Sequence, residues 1–542
     1  MIRVPLPYPA TPENYVHVVP PHVLPWVWRS IAPQAAAAAP PAAPAPAADD
    51  GAAPAPAPAP APATPQFQEN TFLQDSAVRL FKGRVFGSES VTFDPTDPTG
   101  SRLVMMDQYG AVWEAKHHGA GARAGAGAAS SGGGNAARKA AKRLLSSVLK
   151  GASGGAGETP APSPPPPSED EFELNPEPVA WLGAGRPLGA AFRPTTGELV
   201  VCDALKGLLS LARGARRPHL LANHVSRLSS LDAGTPVRYC NDVAVSADGS
   251  TAYFTDSVDV TIQRMLLPLG AAGAPSVAGG GPGSSVYDTK TGWAMGMVQS
   301  KAAGRLLAYD FATGQARVLA RGFRYANGVA LPGDEAFVAV VETDRLRIVR
   351  VPLPPPARPG RAAAAAPAYA TEGQPAGAPA LTADDVELAP ELLLAATAGG
   401  GGGGGGGDAA RPTILIQNLP AAPDGIHTAG DGSSFWVSLL VKMPPVARHF
   451  RPAAARALMA WLPRALRPRP VRWGGVARLD GRSGALKAFL MDPSGGRVAT
   501  ISAAHEHGGR LYFGNLDLDY VAVAPLPADG EVVGVLGGGA VE

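Results

Sequence analysis

The chain has 542 residues, a net charge of +2, and 66 Gly, 57 Pro and 2 Cys. A balance this close to neutral gives no field that would recruit nucleic acid or acidic ligands. The two cysteines, Cys202 and Cys240, make neither a metal-binding pattern nor a disulfide framework; they read as buried thiols that pair only if the fold brings them close.

In chain order, the opening "MIRVPLPYPATPENYVHVVPPHVLPWVWRS" is broken by prolines and lacks the charged-then-apolar order of a signal peptide. No stretch of about 18 apolar residues follows, so no transmembrane helix is predicted and the expectation is a soluble chain. Residues 35–66 are almost entirely Ala and Pro, which makes 1–66 an N-terminal extension, mostly disordered. Similar low-complexity blocks cover about 117–170, 268–285 and 353–410, the last ending in an unbroken run from Gly399 to Gly407. They bury too little apolar surface to offset their ordering entropy and are expected as inserts within one domain over 67–542.

Between the blocks runs a repeat: a special residue, an alternating apolar strand, a turn rich in Gly or Asp, and a second apolar strand. Its copies begin "ESVTFDPTDPTGSRLVMM", "LGAAFRPTTGELVVCD", "NDVAVSADGSTAYFTDSV", "NGVALPGDEAFVAVVE", "DGIHTAGDGSSFWVSLL" and "AHEHGGRLYFGNL". Further strand pairs accompany several copies, such as "GRLLAYDFATGQARVLARG" at 304–322, with its turn at Thr313-Gly314. Six meanders of this kind bury both faces only when arranged around an axis, so the predicted fold is an all-β, six-bladed β-propeller.

The residues opening the six copies are Glu89, Leu188, Asn241, Asn327, Asp424 and Ala504. The innermost strand of a propeller blade begins at one mouth of the central channel. Glu89, Asn241, Asn327 and Asp424 are therefore expected to converge there, although far apart in sequence. Two carboxylates and two amides offer hard oxygen donors that suit Ca²⁺, or Mg²⁺ or Mn²⁺, better than a soft metal. Taken singly, Asn-Gly and Asp-Gly are ordinary turn pairs; their shared repeat position is what points to an ion.

These segments also carry a resemblance. "RLFKGRVFGSESVTFD", "GRPLGAAFRPTTGELVVCDALKGLLSL", "NDVAVSADGSTAYFTDSV", "GRLLAYDFATGQARVLARGFRYANGVAL", "NLPAAPDGIHTAGDGSSFWVSLL" and "VATISAAHEHGGRLYFGNL" occur in order over most of 72–526 outside the inserts. The chain resembles the strictosidine synthase-like family, most closely its adipocyte plasma membrane-associated protein branch, within a superfamily that includes gluconolactonases and paraoxonases. The resemblance implies a site at one end of the channel. In the metal-dependent hydrolases of that superfamily a Glu, two Asn and an Asp line it, matching Glu89, Asn241, Asn327 and Asp424, and the Asp also moves a proton. The implied activity is hydrolysis of a small-molecule ester or lactone, of arylesterase type, with Asp424 catalytic and a divalent cation, Ca²⁺ or another, as cofactor.

Two other readings stand beside it. Strictosidine synthases condense an amine with an aldehyde using a Glu in the last blade, where this chain has Ser502; a hydroxyl cannot replace that acid/base function at neutral pH. The nearby Glu506 belongs to the family's Glu-His turn. A non-catalytic scaffold that binds partners on its faces is the third reading. No G-x-S-x-G motif is present, and His427, His505 and His507 read as packing or turn residues. Residues 441–475, carrying the insert 441–472, hold eight Lys or Arg and no acid. Ala454 to Leu466 is predicted as a short helix exposing Leu458, Trp461 and Leu462, suited to peripheral membrane contact or a cover over the channel. The branch it resembles points to the endomembrane system. Neither substrate nor oligomeric state is legible.

Overall fold

The computed structural model describes residues 67–118, 167–259, 301–354, 382–383, 385–393, 411–442, 471–528 and 533–535, together with 2–5, 15–18, 264–266, 285–287, Thr289 and Trp293. Apart from their edges, the expected inserts at 117–170, 268–285 and 441–472 and the predicted Ala454–Leu466 helix lie outside the described residues. The expected insert 353–410 is corrected in part: Glu387–Leu388 pairs with Gln315–Phe323, and Val386, Leu388 and Leu392 are buried in the core, because this stretch carries enough apolar side chains to be held. Within the expected extension, Ile2–Pro5 pairs with Tyr15–Val18. No described helix is long and apolar enough to cross a membrane.

Six antiparallel sheets follow one another along the chain. Their innermost strands are Val91–Phe93, Pro187–Phe192, Cys240–Val245, Ala326–Ala330, Ala422–Thr428 and Ile501–His507, for blades one to six. Val, Ile and Phe recur in these strands because β-branched and aromatic side chains pack well on a pleated, buried surface. Tight turns supply the punctuation; Gly249 and Gly314 sit at positive φ in hairpin turns, where a side chain would be strained. The turn at Thr313-Gly314 falls between Gly304–Asp310 and Gln315–Phe323, as the sequence indicates.

Apolar packing proves the ring. Each pair of neighbouring blades shares a buried cluster: Val104 with Phe192, Val200 with Phe254, Leu306 with Val338, Ile348 with Phe435, Trp436 with Phe513, and Tyr512 with Leu103. The last of these joins blade six to blade one, so the sheets close into a six-bladed β-propeller. Closure is also hydrogen-bonded. The outer strand of blade six is Val78–Leu80, which pairs with Val521–Pro525 from the other end of the chain.

Candidate active site

The inner strands share one irregularity. In blades three to six the register against the second strand slips between Cys240 and Val243, Ala326 and Val329, Pro423 and Ile426, and Ile501 and Ala503. Blade two slips at the equivalent place, opposite Val201 to Asp203. Each slip inserts one extra residue into the inner strand, a β-bulge that bends the strand and re-aims a side chain. The bulged residues are Leu188, Asn241, Asn327, Asp424 and Ser502, so blade six presents Ser502, not the expected Ala504. Ala504 packs instead in the apolar junction of blades five and six. Three of the predicted residues also lie inside their strands rather than just ahead of them.

These residues and Glu89 line a single small cavity of ≈ 20 Å³, with contributions from all six blades. The four predicted oxygen donors are therefore brought together. Asn327 Nδ2 donates to Asp424 Oδ1, which places those two side by side. Gly328 and Gly425 are small for reasons of approach rather than for turns. A Cβ on Gly328 would stand 2.6 Å from both Asp424 O and Ile426 N.

Hydroxyls fix the amide orientations. Ser257 Oγ donates its one hydrogen to Ala326 O at 2.6 Å, so it can only accept from Asn241, at 2.9 Å. Thr343 Oγ1 donates to Pro423 O at 2.8 Å and accepts from Asn327 at 3.0 Å. The facing atom of each amide must therefore be Nδ2, which leaves Oδ1 of Asn241 and of Asn327 as the atoms with unused lone pairs. Both hydroxyls stand sixteen residues after their Asn, a spacing the sequence holds but which has no meaning before the hairpins are folded.

The same hydroxyls belong to a ring of links between blades. Thr255 Oγ1 donates to Asn327 O at 2.6 Å, Ser438 Oγ to Ser502 O at 2.7 Å, and Ser502 Oγ to Glu89 O at 3.1 Å. Ala190 N donates to Ser90 Oγ at 3.2 Å. Between blades two and three the link is covalent: Cys202 and Cys240 form a disulfide, Cα atoms 5.0 Å apart, in place of the two free thiols expected. Packing of blade two against blade three brings the sulfurs together, which a separation of 38 residues does not reveal.

Sequence reasoning did not single out Arg186 or Asp242. Arg186 is 1 % exposed. Its guanidinium donates to Glu89 Oε1 at 2.5 Å, Gly87 O at 2.9 Å and Leu516 O at 2.8 Å. Asp242 accepts from Val243 N at 2.9 Å and from Val329 N of the next blade at 3.0 Å. Burial pushes its carboxyl up to about 7. Burial, and then the charge of Glu89, raise Asp424 well above the carboxylate range. Three carboxylates thus face one cavity with one guanidinium among them, and the amide oxygens stand ready as neutral donors. The donor set fits a hard divalent cation, whose charge would offset the mutual repulsion.

His427 also lines the cavity, and burial lowers its imidazole to about 4. The His505 ring lies 5.6 Å away, whereas His507 stacks on Phe93 at 3.8 Å with Nε2 2.7 Å from Gly100 O. Glu506 lies within a strand rather than a turn and accepts from Trp436 Nε1 at 2.6 Å.

Two small apolar clusters adjoin the lining residues. Tyr239 and Tyr325 stand two residues before Asn241 and Asn327 and are buried with Leu188 and Val258. Ala422, Leu440 and Val441 form a second cluster beside Leu346 and Leu516. Trp293 packs against both.

Comparison with known proteins gives the same affinities as the motifs. A strictosidine synthase family model matches residues 282–353. The adipocyte plasma membrane-associated protein of Homo sapiens is 27% identical over 367 residues, 65% of each chain. The match thus spans just under two thirds of that relative's length. The protein STRICTOSIDINE SYNTHASE-LIKE 10 of Arabidopsis thaliana is 31% identical over 174 residues, 32% of this chain and 37% of that protein. Among solved structures, a gluconolactonase from Xanthomonas campestris aligns with a TM-score of 0.41 and 14% identity, covering 86% of this chain and 96% of that chain. Regucalcin, a calcium-binding protein from Agrobacterium tumefaciens, aligns with a TM-score of 0.38 and 11% identity, covering 84% and 97%. The chain is similar to strictosidine synthase-like proteins.

Proposed function

We propose that the chain is a divalent-cation-dependent hydrolase of small esters or lactones, of arylesterase type, working at the channel mouth. The observation that carries this reading is the orientation of Asn241 and Asn327: their amide nitrogens are engaged by hydroxyls, so their oxygens join the carboxylates of Glu89 and Asp424 as donors. When bound, a cation such as Ca²⁺ supplies a Lewis acid that polarises the substrate carbonyl. Arg186 holds Glu89 in its donor position. Asp424 takes a proton from the attacking water as its oxygen bonds to the carbonyl carbon. Collapse of the tetrahedral adduct breaks the bond to the leaving oxygen, which receives that proton from Asp424, giving acid and alcohol. An amine–aldehyde condensation is disfavoured because Ser502, with its hydroxyl on Glu89 O, offers no carboxyl in the last blade.

The test is phenyl acetate and a panel of lactones with purified protein, after removal of cations with a chelator and again after back-titration with Ca²⁺. Turnover is expected to vanish and return. Asp424→Asn is expected to lower kcat by roughly 10²–10⁴-fold, and Glu89→Gln to weaken Ca²⁺ binding measured by calorimetry. Turnover indifferent to the chelator and to both substitutions refutes the reading.

A further inference from the structure

Away from the channel mouth, the junction of blades one and two is not filled. Alternation along Arg102–Met106 and Ala111–His117 turns Arg102, Val104, Val112 and Glu114 to one face of blade one. On that face Val104 and Val112 pack with Phe192, Leu199 and Leu211 of blade two. Leu199 pairs with Leu211 and with Phe192, the last residue of its inner strand, and Arg102 lies beyond the Phe93–Leu103 pair. These residues therefore sit at the end of the blades opposite Glu89 and Leu188. Phe192 is the one aromatic ring in this buried cluster, whereas the junction of blades five and six holds Trp436, Phe513 and Tyr520. The shortfall leaves a cavity of ≈ 170 Å³, against ≈ 20 Å³ at the channel mouth.

The cavity is reached from solvent, because Ala212, Arg213 and Gly214 form part of its lining and are exposed. This rim is tethered to both blades. Ala215 N donates to Ala212 O at 2.9 Å, and Trp181 N, at the edge of blade one, donates to Arg216 O at 3.1 Å. The rim is also basic, with Arg213, Arg216 and Arg217 exposed on one turn. The acids beneath it are engaged by Arg102, which lies 2.6 Å from Asp94 Oδ2 and 2.8 Å from Glu114 Oε2. Asp94 Oδ1 accepts from Thr96 Oγ1 at 2.6 Å and Thr96 N at 2.9 Å. Arg213 Nη1 stands 3.9 Å from Asp94 Oδ2, too far for a hydrogen bond, and its side chain is 53% exposed. An apolar cavity of about 150 Å³ takes one benzene ring. A bare anion would leave the apolar walls unused, and a sugar would lose its hydration against them. We propose that this cleft binds a small aryl carboxylate, with the ring among Val104, Phe192 and Leu199 and the carboxylate on Arg213. The site is separate from the channel mouth and does not depend on the hydrolase reading.

The probe is benzoate, titrated by calorimetry into the full chain with a chelator present, so that a cation at the mouth takes no part. Benzyl alcohol, with the same ring and no charge, is the comparison. Wild type is expected to bind benzoate about tenfold more tightly than benzyl alcohol, the contribution of a hydrogen bond to a charged group. Arg213→Gln is expected to remove that difference and leave benzyl alcohol unchanged. Val104→Phe places a ring in the cavity and is expected to abolish binding of both, with a urea midpoint no lower than that of wild type. If the Phe variant does not fold, Arg213→Gln, a change at an exposed residue, decides. Benzoate that wild type does not bind, or binds no better than benzyl alcohol, overturns the inference. So does benzoate bound equally by wild type and Arg213→Gln, since it would then sit elsewhere.

Discussion

Arg186 Nη2 lies 2.5 Å from Glu89 Oε1, and the same guanidinium reaches Gly87 O and Leu516 O. A largely buried carboxylate deprived of a guanidinium this close is costly. Arg186→Met is expected to destabilise the cation-free protein by about 3–5 kcal/mol. Because Ca²⁺ would supply counter-charge that Arg186 no longer gives, the rise in melting temperature on adding Ca²⁺ should be larger in the variant than in wild type. Adding Glu89→Gln should recover part of the lost stability. Thermal melts of the four proteins, with and without Ca²⁺, check this; additive losses would show that the two residues do not act as a pair.

The Cys202–Cys240 disulfide occupies the junction where the neighbouring blades use hydroxyls. Reduction is expected to cost about 2–4 kcal/mol, read as a lower urea midpoint in dithiothreitol. Cys202 Sγ lies 3.4 Å from Asp242 O, much as Thr255 and Ser438 reach the next blade. The pair Cys202→Ser, Cys240→Ala should therefore be about 1 kcal/mol more stable than Cys202→Ala, Cys240→Ala. Equal midpoints for the two would mean that a serine there finds no carbonyl.

Burial lowers His427 to about 4, and burial with the charges of His427 and His507 lowers His505 well below its usual value. Below pH 6.5 the unfolded chain takes up protons that the folded imidazoles refuse, so ν_U exceeds ν_N and stability falls as pH falls. The loss begins near the ordinary histidine value and continues to about 4 for His427. Each imidazole adds up to about 1.4 kcal/mol per pH unit in that window. Urea unfolding from pH 7.5 to 4.5 should show a flatter profile for the His427→Gln, His505→Gln variant; parallel profiles would count against buried neutral rings.

Gly328→Ala would force a Cβ against Asp424 O and Ile426 N, both backbone atoms at 2.6 Å. The neighbouring blade has to shift. A loss of about 1–3 kcal/mol is expected, with weaker Ca²⁺ binding because Asn327 moves away from Asp424. A variant with normal Ca²⁺ affinity would show that the mouth tolerates the shift.

The blades were legible because alternation survives in a single strand: Val243 and Val245 pair with Phe254 and Ala252 as their spacing indicates. The mouth was legible at Asn241, Asn327 and Asp424 because chemistry repeated at one position. At Ala504 counting failed, since the bulge between Ile501 and Ala503 adds a residue that alternation cannot detect. Arg186 was hidden for another reason: a lone arginine before a proline looks like surface, and its acceptors come from Gly87, Glu89 and Leu516. Trp293 sits in a stretch without periodicity, so only packing assigns it a place.

Val78–Leu80 is synthesised before every inner strand and its partner Val521–Pro525 after all of them. The early strand therefore stays a bare edge until the whole stretch between them has been made, and blade six is the one blade whose strands cannot all pair before then.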